Sequence, residues 1–215
     1  MTKLRPASVP SVPVGANFRF GESPFHVKGV LYQGTHAFFN DNLKGGMETL
    51  ISEIDDQQLC DFIRQPFLAS AWYDVMPAPV LIAYEAHALR MTIEEYLHHR
   101  TRYQAKRDLG GVYGAVLRVA PVAVVAARLP GVMVRMFDFV QSEITRNEHQ
   151  ALDAMMHGIP LPLEPWLRVS VQIYSDTALK LAGARTVEME RPHAVSEGER
   201  AGVRLVGLPI KLRWS

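Results

Sequence analysis

Leu167, Val171, Tyr174, Ala178 and Leu181 step by four, three, four and three residues, and Gly183 follows where a left-handed residue ends a helix. That spacing predicts a helix with one apolar face. Beyond it, Thr186 to Glu190 reads as a strand, and Ile210, Leu212 and Trp214 alternate with Lys211 and Arg213 as a half-buried strand. A helix followed by two strands constrains the fold more than any other feature, because strands without crossover helices between them pair antiparallel. The fold class expected is α+β, an antiparallel sheet of about four strands backed by a helical layer.

The 215 residues suffice for a hydrophobic core without covalent staples. Residues 1–17 carry Pro6, Ser8, Pro10, Ser11 and Pro13 without periodicity and read as a disordered arm, leaving 18–215 as one α+β domain. Lys and Arg number 23 against 22 Asp and Glu, so no field of one sign would gather nucleic acid, and none is expected as a partner. One cysteine, Cys60, excludes an intramolecular disulfide and a multi-thiolate zinc site and favours a reducing compartment, the cytoplasm. The prolines of the arm replace the apolar core of a secretory signal. The longest apolar stretch, Val112 to Val140, is interrupted by Arg118, Arg128, Arg135, Pro121 and Pro130, so no transmembrane segment is expected.

Val27, Val30, Leu31 and Tyr32 suggest a first strand ending at Gly34. Three short helices follow at about 35–43, 46–54 and 57–65, the last stopped by Pro66. After a loop with Pro77 and Pro79, the residues Val80, Leu81, Tyr84, His87, Ala88 and Met91 keep helical spacing. Thr92 with Glu95 three residues on is a capping box, opening a helix that runs to about Asp108. Gly110 and Gly111 end it. Val112 to Ala120 and Val122 to Leu129 then read as two helices buried in the core, with Pro121 suiting the start of the second. From Met133 to Ile159 the pattern fits either element, and Phe137 and Phe139 tip the reading toward strands.

The runs Phe67-Leu68-Ala69-Ser70-Ala71-Trp72-Tyr73, Asp108-Leu109-Gly110-Gly111-Val112-Tyr113, Gly158-Ile159-Pro160 with Trp166, and Leu181-Ala182-Gly183-Ala184 resemble a paralogous family of unknown function from myxobacteria, and the strand Ile210 to Trp214 fits it too. The likeness covers roughly residues 25–215. That family is similar, in its order of elements, to the small-molecule-binding domains grouped as vinyl-reductase-like and haem-NO-binding-like. The resemblance implies an apolar space between helices and a sheet that senses or carries a ligand. The cysteine and haem-ligand positions of those domains have no match here, and no cofactor is assigned.

Several constellations bear on chemistry. Glu94, Glu95, His98 and His99 provide only one Glu-x-x-His pair where a di-iron bundle site needs two, so they read as a solvated helix face. His149, Asp153 and His157 recur every fourth residue, but on a strand the outer two would stand about 26 Å apart. One ion cannot join them. Ser70 and Ser175 lack a nucleophile-elbow motif, and Cys60 sits inside an apolar helix pattern as a core residue. Leu109 to Gly114 lacks the order and the lysine of a phosphate loop. Arg118, Arg128 and Arg135 project onto one side of a helix as a membrane-facing edge would, but Pro121 and Pro130 break that projection and favour buried helices with a narrow polar edge.

Trp72, Tyr73, Met76, Tyr84 and His87 form the best ligand-contact candidate, because pockets pair aromatic walls with a few polar atoms. The competing reading places them in an ordinary core. The sequence therefore leads to a non-enzymatic regulatory or carrier domain with a small hydrophobic ligand, and alternatively to a protein-interaction or scaffold domain acting as a homodimer. No catalytic residue is assigned. An enzyme would require groups such as His36, His87, His149 and Asp153 to converge in a cleft.

Overall fold

The structure is a computed structural model and describes residues 16–215. The expected arm at 1–17 falls almost entirely outside the described residues. The chain divides into two compact units, with the boundary between Arg100 and Thr101.

In the first unit, β1 (His26–Lys28) pairs antiparallel with β2 (Trp72–Asp74), His26 opposite Asp74 and Lys28 opposite Trp72. Between them in sequence lie α1 (Val30–Asn42), α2 (Gly46–Glu53) and α3 (Gln57–Arg64). After β2 come α4 (Ala78–Ala88) and α5 (Ile93–Asp108), whose first half belongs to this unit. The expected first strand is thus shorter than its apolar run, since Val30, Leu31 and Tyr32 open α1 instead. The reason is local. Gly29 already has helical backbone angles, and a Cβ there would lie 2.2 Å from the Leu68 carbonyl oxygen. Its N–H donates to the Ala71 carbonyl at 2.9 Å, so the strand-to-helix turn is pinned on that loop. Tyr32, Thr35, Phe38 and Phe39 then share the buried face of α1.

The Pro66 stop and the Thr92–Glu95 box act as the sequence predicts, and Asp56 adds a cap it did not single out. Asp56 caps α3 by accepting the Leu59 N–H at 3.1 Å, and Gln65 before Pro66 is extended. At the start of α5 the Thr92 N–H donates to Glu95 Oε2 at 2.8 Å while the Glu95 N–H donates to Thr92 Oγ1 at 3.2 Å, the reciprocal pair of a capping box.

The second unit continues with α6 (Gly111–Val119) and α7 (Val122–Met136), followed by the hairpin β3 (Gln141–Glu148) and β4 (Ala151–Pro160). Next come α8 (Glu164–Leu181), β5 (Val187–Glu190), β6 (Val195–Arg200) and β7 (Val203–Trp214). The sheet is antiparallel in the order β3-β4-β7-β5, and β6 adds to β7 beside its first half while β5 takes the second half. This is the expected α+β arrangement, with helices backing the sheet.

Alternation explains which face the sheet buries. Leu152, Ala154 and Met156 on β4 stand opposite Leu212, Ile210 and Leu208 on β7, and all six are buried. The β6–β7 turn at Ala201-Gly202 has positive φ at both residues, the tight mirror-image turn that matches strand twist. On α8, Leu167, Val171 and Ala178 are buried, and Gly183 has φ +103°. The Ala184 N–H reaches back to the Leu179 carbonyl at 2.9 Å, completing a left-handed cap.

Two expectations fail in this unit. Pro130 does not end α7, which runs on to Met136, so only the part from Gln141 onward adopts the expected strands. And α6 is not a core helix, since Val112, Tyr113, Val116 and Val119 are largely solvent-exposed, while α7 buries Val125, Ala126 and Pro130 but exposes Val124, Val132 and Val134. An apolar composition sets what a helix could bury but not whether a neighbour covers it.

Candidate functional site

Helix α4 buries residues on every side, including Val80, Leu81, Ala83, Tyr84 and Ala86. The one carboxylate on this largely buried helix, Glu85, is itself buried. Its Oε2 accepts a hydrogen bond from the Tyr96 hydroxyl, one turn into α5. Arg100 follows Tyr96 by four residues on the same helix face, lies 5.3 Å over the Phe38 ring, and donates to Thr35 Oγ1 at 3.5 Å. Thr35, Glu85, Tyr96 and Arg100 are thus four buried polar side chains gathered from α1, α4 and α5.

Burial pushes the Glu85 carboxyl up to about 7, against the opposing pull of the Tyr96 hydrogen bond and the Arg100 charge. Burial also raises the Tyr96 phenol well above its ordinary range, and the Glu85 charge adds to that. The result is a buried carboxyl, raised toward neutral pH, beside a guanidinium, a combination that often marks functional sites. Sequence reasoning missed Glu85. The signal was present, since it is the one acid in the run from Val80 to Ala88.

Beside this cluster in the same unit is a wall of rings. Tyr32 stacks on Phe67 at 4.6 Å between centroids and meets Phe62 edge-on at 5.2 Å, while Phe67 meets Tyr73 at 4.8 Å and His36 at 5.8 Å. The Tyr32 hydroxyl donates to the Asp74 carbonyl at 2.6 Å, and burial raises its phenol, with Asp74 and Glu85 adding. His36 is held by the Ile63 carbonyl at 3.0 Å from Nε2, and burial lowers its pKa despite that bond.

The five residues expected to contact ligand separate by exposure. Trp72 is exposed on β2, with the Lys28 ammonium 3.7 Å from its ring centroid. His87 is exposed on α4. Tyr73, half-buried, accepts the Leu68 N–H at 2.9 Å and belongs to the ring wall. Met76 is buried, its N–H donating to Asp74 Oδ1 at 2.8 Å, and Tyr84 is buried with its hydroxyl on Asp55. Three of the five therefore reach the interior and two face water.

The other constellations resolve individually. His149 lies in the β3–β4 turn, Asp153 accepts from Arg213 Nη1 at 2.5 Å, and His157 Nδ1 sits 2.5 Å from Glu197 Oε1. Glu143 Oε1 lies 3.6 Å from the other His157 nitrogen, and these carboxylates raise the imidazole pKa, the Glu197 bond foremost. Among the described residues no cluster of three His, Cys, Asp or Glu side chains could hold a metal ion. Cys60 is a buried thiol, in no disulfide, directed at the carbonyls of Ile51 and Ile54. Glu94, Glu95 and His99 are exposed, His99 packing edge-on against Phe38, while His98 keeps a buried Nδ1 without a hydrogen-bond partner.

No protein-family model matches the chain, and no curated protein sequence matches it either. Solved structures do. The Fe(II) unliganded H-NOX protein from K. algicida superposes with a TM-score of 0.55 at 10% identity, covering 87% of this chain and 96% of its own. An oxygen-binding H-NOX domain related to soluble guanylate cyclases gives 0.58 at 8% identity, covering 87% and 95%. A mutant of the T. Tengcongensis H-NOX gives 0.60 at 8% identity, covering 87% and 97%. At such identities the likeness is one of fold, and the chain has the fold of H-NOX domains.

Proposed function

We propose that this chain is a non-enzymatic sensor or carrier domain that binds a small apolar ligand against the ring wall and the Glu85 cluster of its first unit. The observation that carries this reading is the fold shared over 87% of the chain with an H-NOX domain described as oxygen-binding. Aromatic rings supply apolar contact, and Glu85, Tyr96 and Arg100 supply the few polar groups that orient a guest. Tyr73, Met76 and Tyr84 are the expected contact residues that this reading retains.

Haem is the ligand that the fold likeness brings forward. Haem iron is most often held by a histidine or a cysteine thiolate in a sheltered pocket. None of the eight histidines is fully buried, His36 and His157 are already engaged, and the Cys60 thiol faces backbone carbonyls. His98 offers one buried nitrogen, but on a ring that is itself partly exposed. This donor set does not fit haem. The proposed guest is therefore an organic, largely hydrocarbon molecule held without iron.

Thermal-shift measurements on the full chain against hydrophobic metabolites, fatty acids and metal-free tetrapyrroles, with native mass spectrometry of the purified protein, test the reading. A stabilising ligand whose effect is lost in Tyr73→Ala or Glu85→Gln supports it. Absence of both a stabilising compound and a co-purified small molecule overturns it.

A further inference from the structure

Seven of the twelve large apolar side chains exposed among the described residues fall between Val112 and Val134. On α6 the usual orientation is reversed. Val112, Val116 and Val119 occupy positions i, i+4 and i+7, within about 60° of one another around a 3.6-residue helix, and they are 81%, 59% and 84% exposed. Tyr113 beside them is 73% exposed. The buried residue of α6 is Gly114, where a Cβ would lie 2.6 Å from the Leu109 carbonyl oxygen. The helix is seated by its smallest residue and turns its apolar stripe to solvent.

Charge separates on the same stretch. From Thr101 to Phe137 the sequence has six bases, Arg102, Lys106, Arg107, Arg118, Arg128 and Arg135, and one acid, although the chain as a whole is nearly balanced at 23 against 22. All six bases are exposed. The acid, Asp108, is half-buried and accepts from Tyr174 and Gln104, each at 2.6 Å. On α7, Arg128 and Arg135 share the outward face with Val124.

We infer that α6 and α7 form a docking surface for a lipid bilayer containing anionic lipids. The valine stripe and Tyr113 enter the boundary between headgroups and acyl chains, and Arg128 and Arg135 of α7 extend their heads to lipid phosphates while their stems lie along apolar surface. No helix among the described residues is long and apolar enough to cross a membrane, so this contact is peripheral. A second copy of the chain is a poorer occupant. A two-fold contact through this face sets the same cations against themselves, and like charges across an interface disfavour it. A single-stranded nucleic acid would call for a row of stacking aromatics, where this face has valines and the single ring of Tyr113.

Flotation of the full chain with vesicles of equal parts phosphatidylglycerol and phosphatidylcholine, beside vesicles of phosphatidylcholine alone, tests the inference. The chain is expected to float with the anionic vesicles only, and to be released by high salt. Arg128→Gln and Arg135→Gln should each lower partitioning about fivefold, and Val116→Asp with Val119→Asp should abolish it while far-ultraviolet circular dichroism stays unchanged. Equal binding to both vesicle types, no binding to either, or a dimer in sedimentation equilibrium that the valine variants dissociate would each overturn it.

Discussion

Glu85 on α4 and Tyr96 on α5, eleven residues apart in sequence, share a hydrogen bond in which the phenol donates to a carboxyl that burial has pushed up to about 7. Because the folded chain holds this proton more tightly than the unfolded chain, whose carboxyl stays near 4.5, stability should fall as pH rises from about 4.5 to about 7 and level off above.

Replacing Glu85 by Gln keeps an acceptor for Tyr96 and removes the titration. Urea unfolding of wild type and variant from acid to mildly basic pH should give a variant profile lacking this slope, a difference of roughly 3 kcal/mol across the window. Parallel profiles would contradict the assignment. Tyr96→Phe should leave the slope and move its end to higher pH, since the phenol's hydrogen bond lowers the carboxyl pKa.

Asp74 organises the loop before β1 and the entry to α4. Its carboxylate accepts from the N–H groups of Gly21 at 2.7 Å, Ser23 at 3.2 Å and Met76 at 2.8 Å, and from the Ser23 hydroxyl. Asp74→Ala strands several buried donors and should cost about 3 kcal/mol or more in chemical denaturation. Asp74→Asn, which keeps one acceptor oxygen, should cost clearly less.

His157 is expected to titrate above the ordinary 6.5 because of Glu197 and, less strongly, Glu143. For a raised imidazole the stabilisation is complete below the unfolded value and disappears as pH rises through the folded one. An NMR titration of the ring protons should show the raised midpoint in wild type and a return toward 6.5 in Glu197→Gln.

The capping box at Thr92 gives the fourth test. Thr92→Ala removes the hydroxyl that accepts the Glu95 N–H at 3.2 Å, and Tm should drop by about 2–4 °C. An unchanged Tm would mean that α5 is held by packing alone.

What the sequence determined by itself is the set of features encoded within a few residues. The apolar stripe of α8 and its Gly183 terminator, the Thr92–Glu95 box, the stop at Pro66 and the alternation of the last strand depend on relations within about five residues of sequence, which spacing alone reveals. The end of the first strand was lost because its cause is distant, a loop some forty residues later that crowds Gly29. The same holds for the candidate site. Arg100 and Thr35 stand 65 residues apart, and nothing local announces that they meet beside Glu85. Tertiary packing also decided that α6 shows its valines to solvent, because periodicity specifies that a helix has an apolar face and only the arrangement of neighbours specifies whether that face is covered.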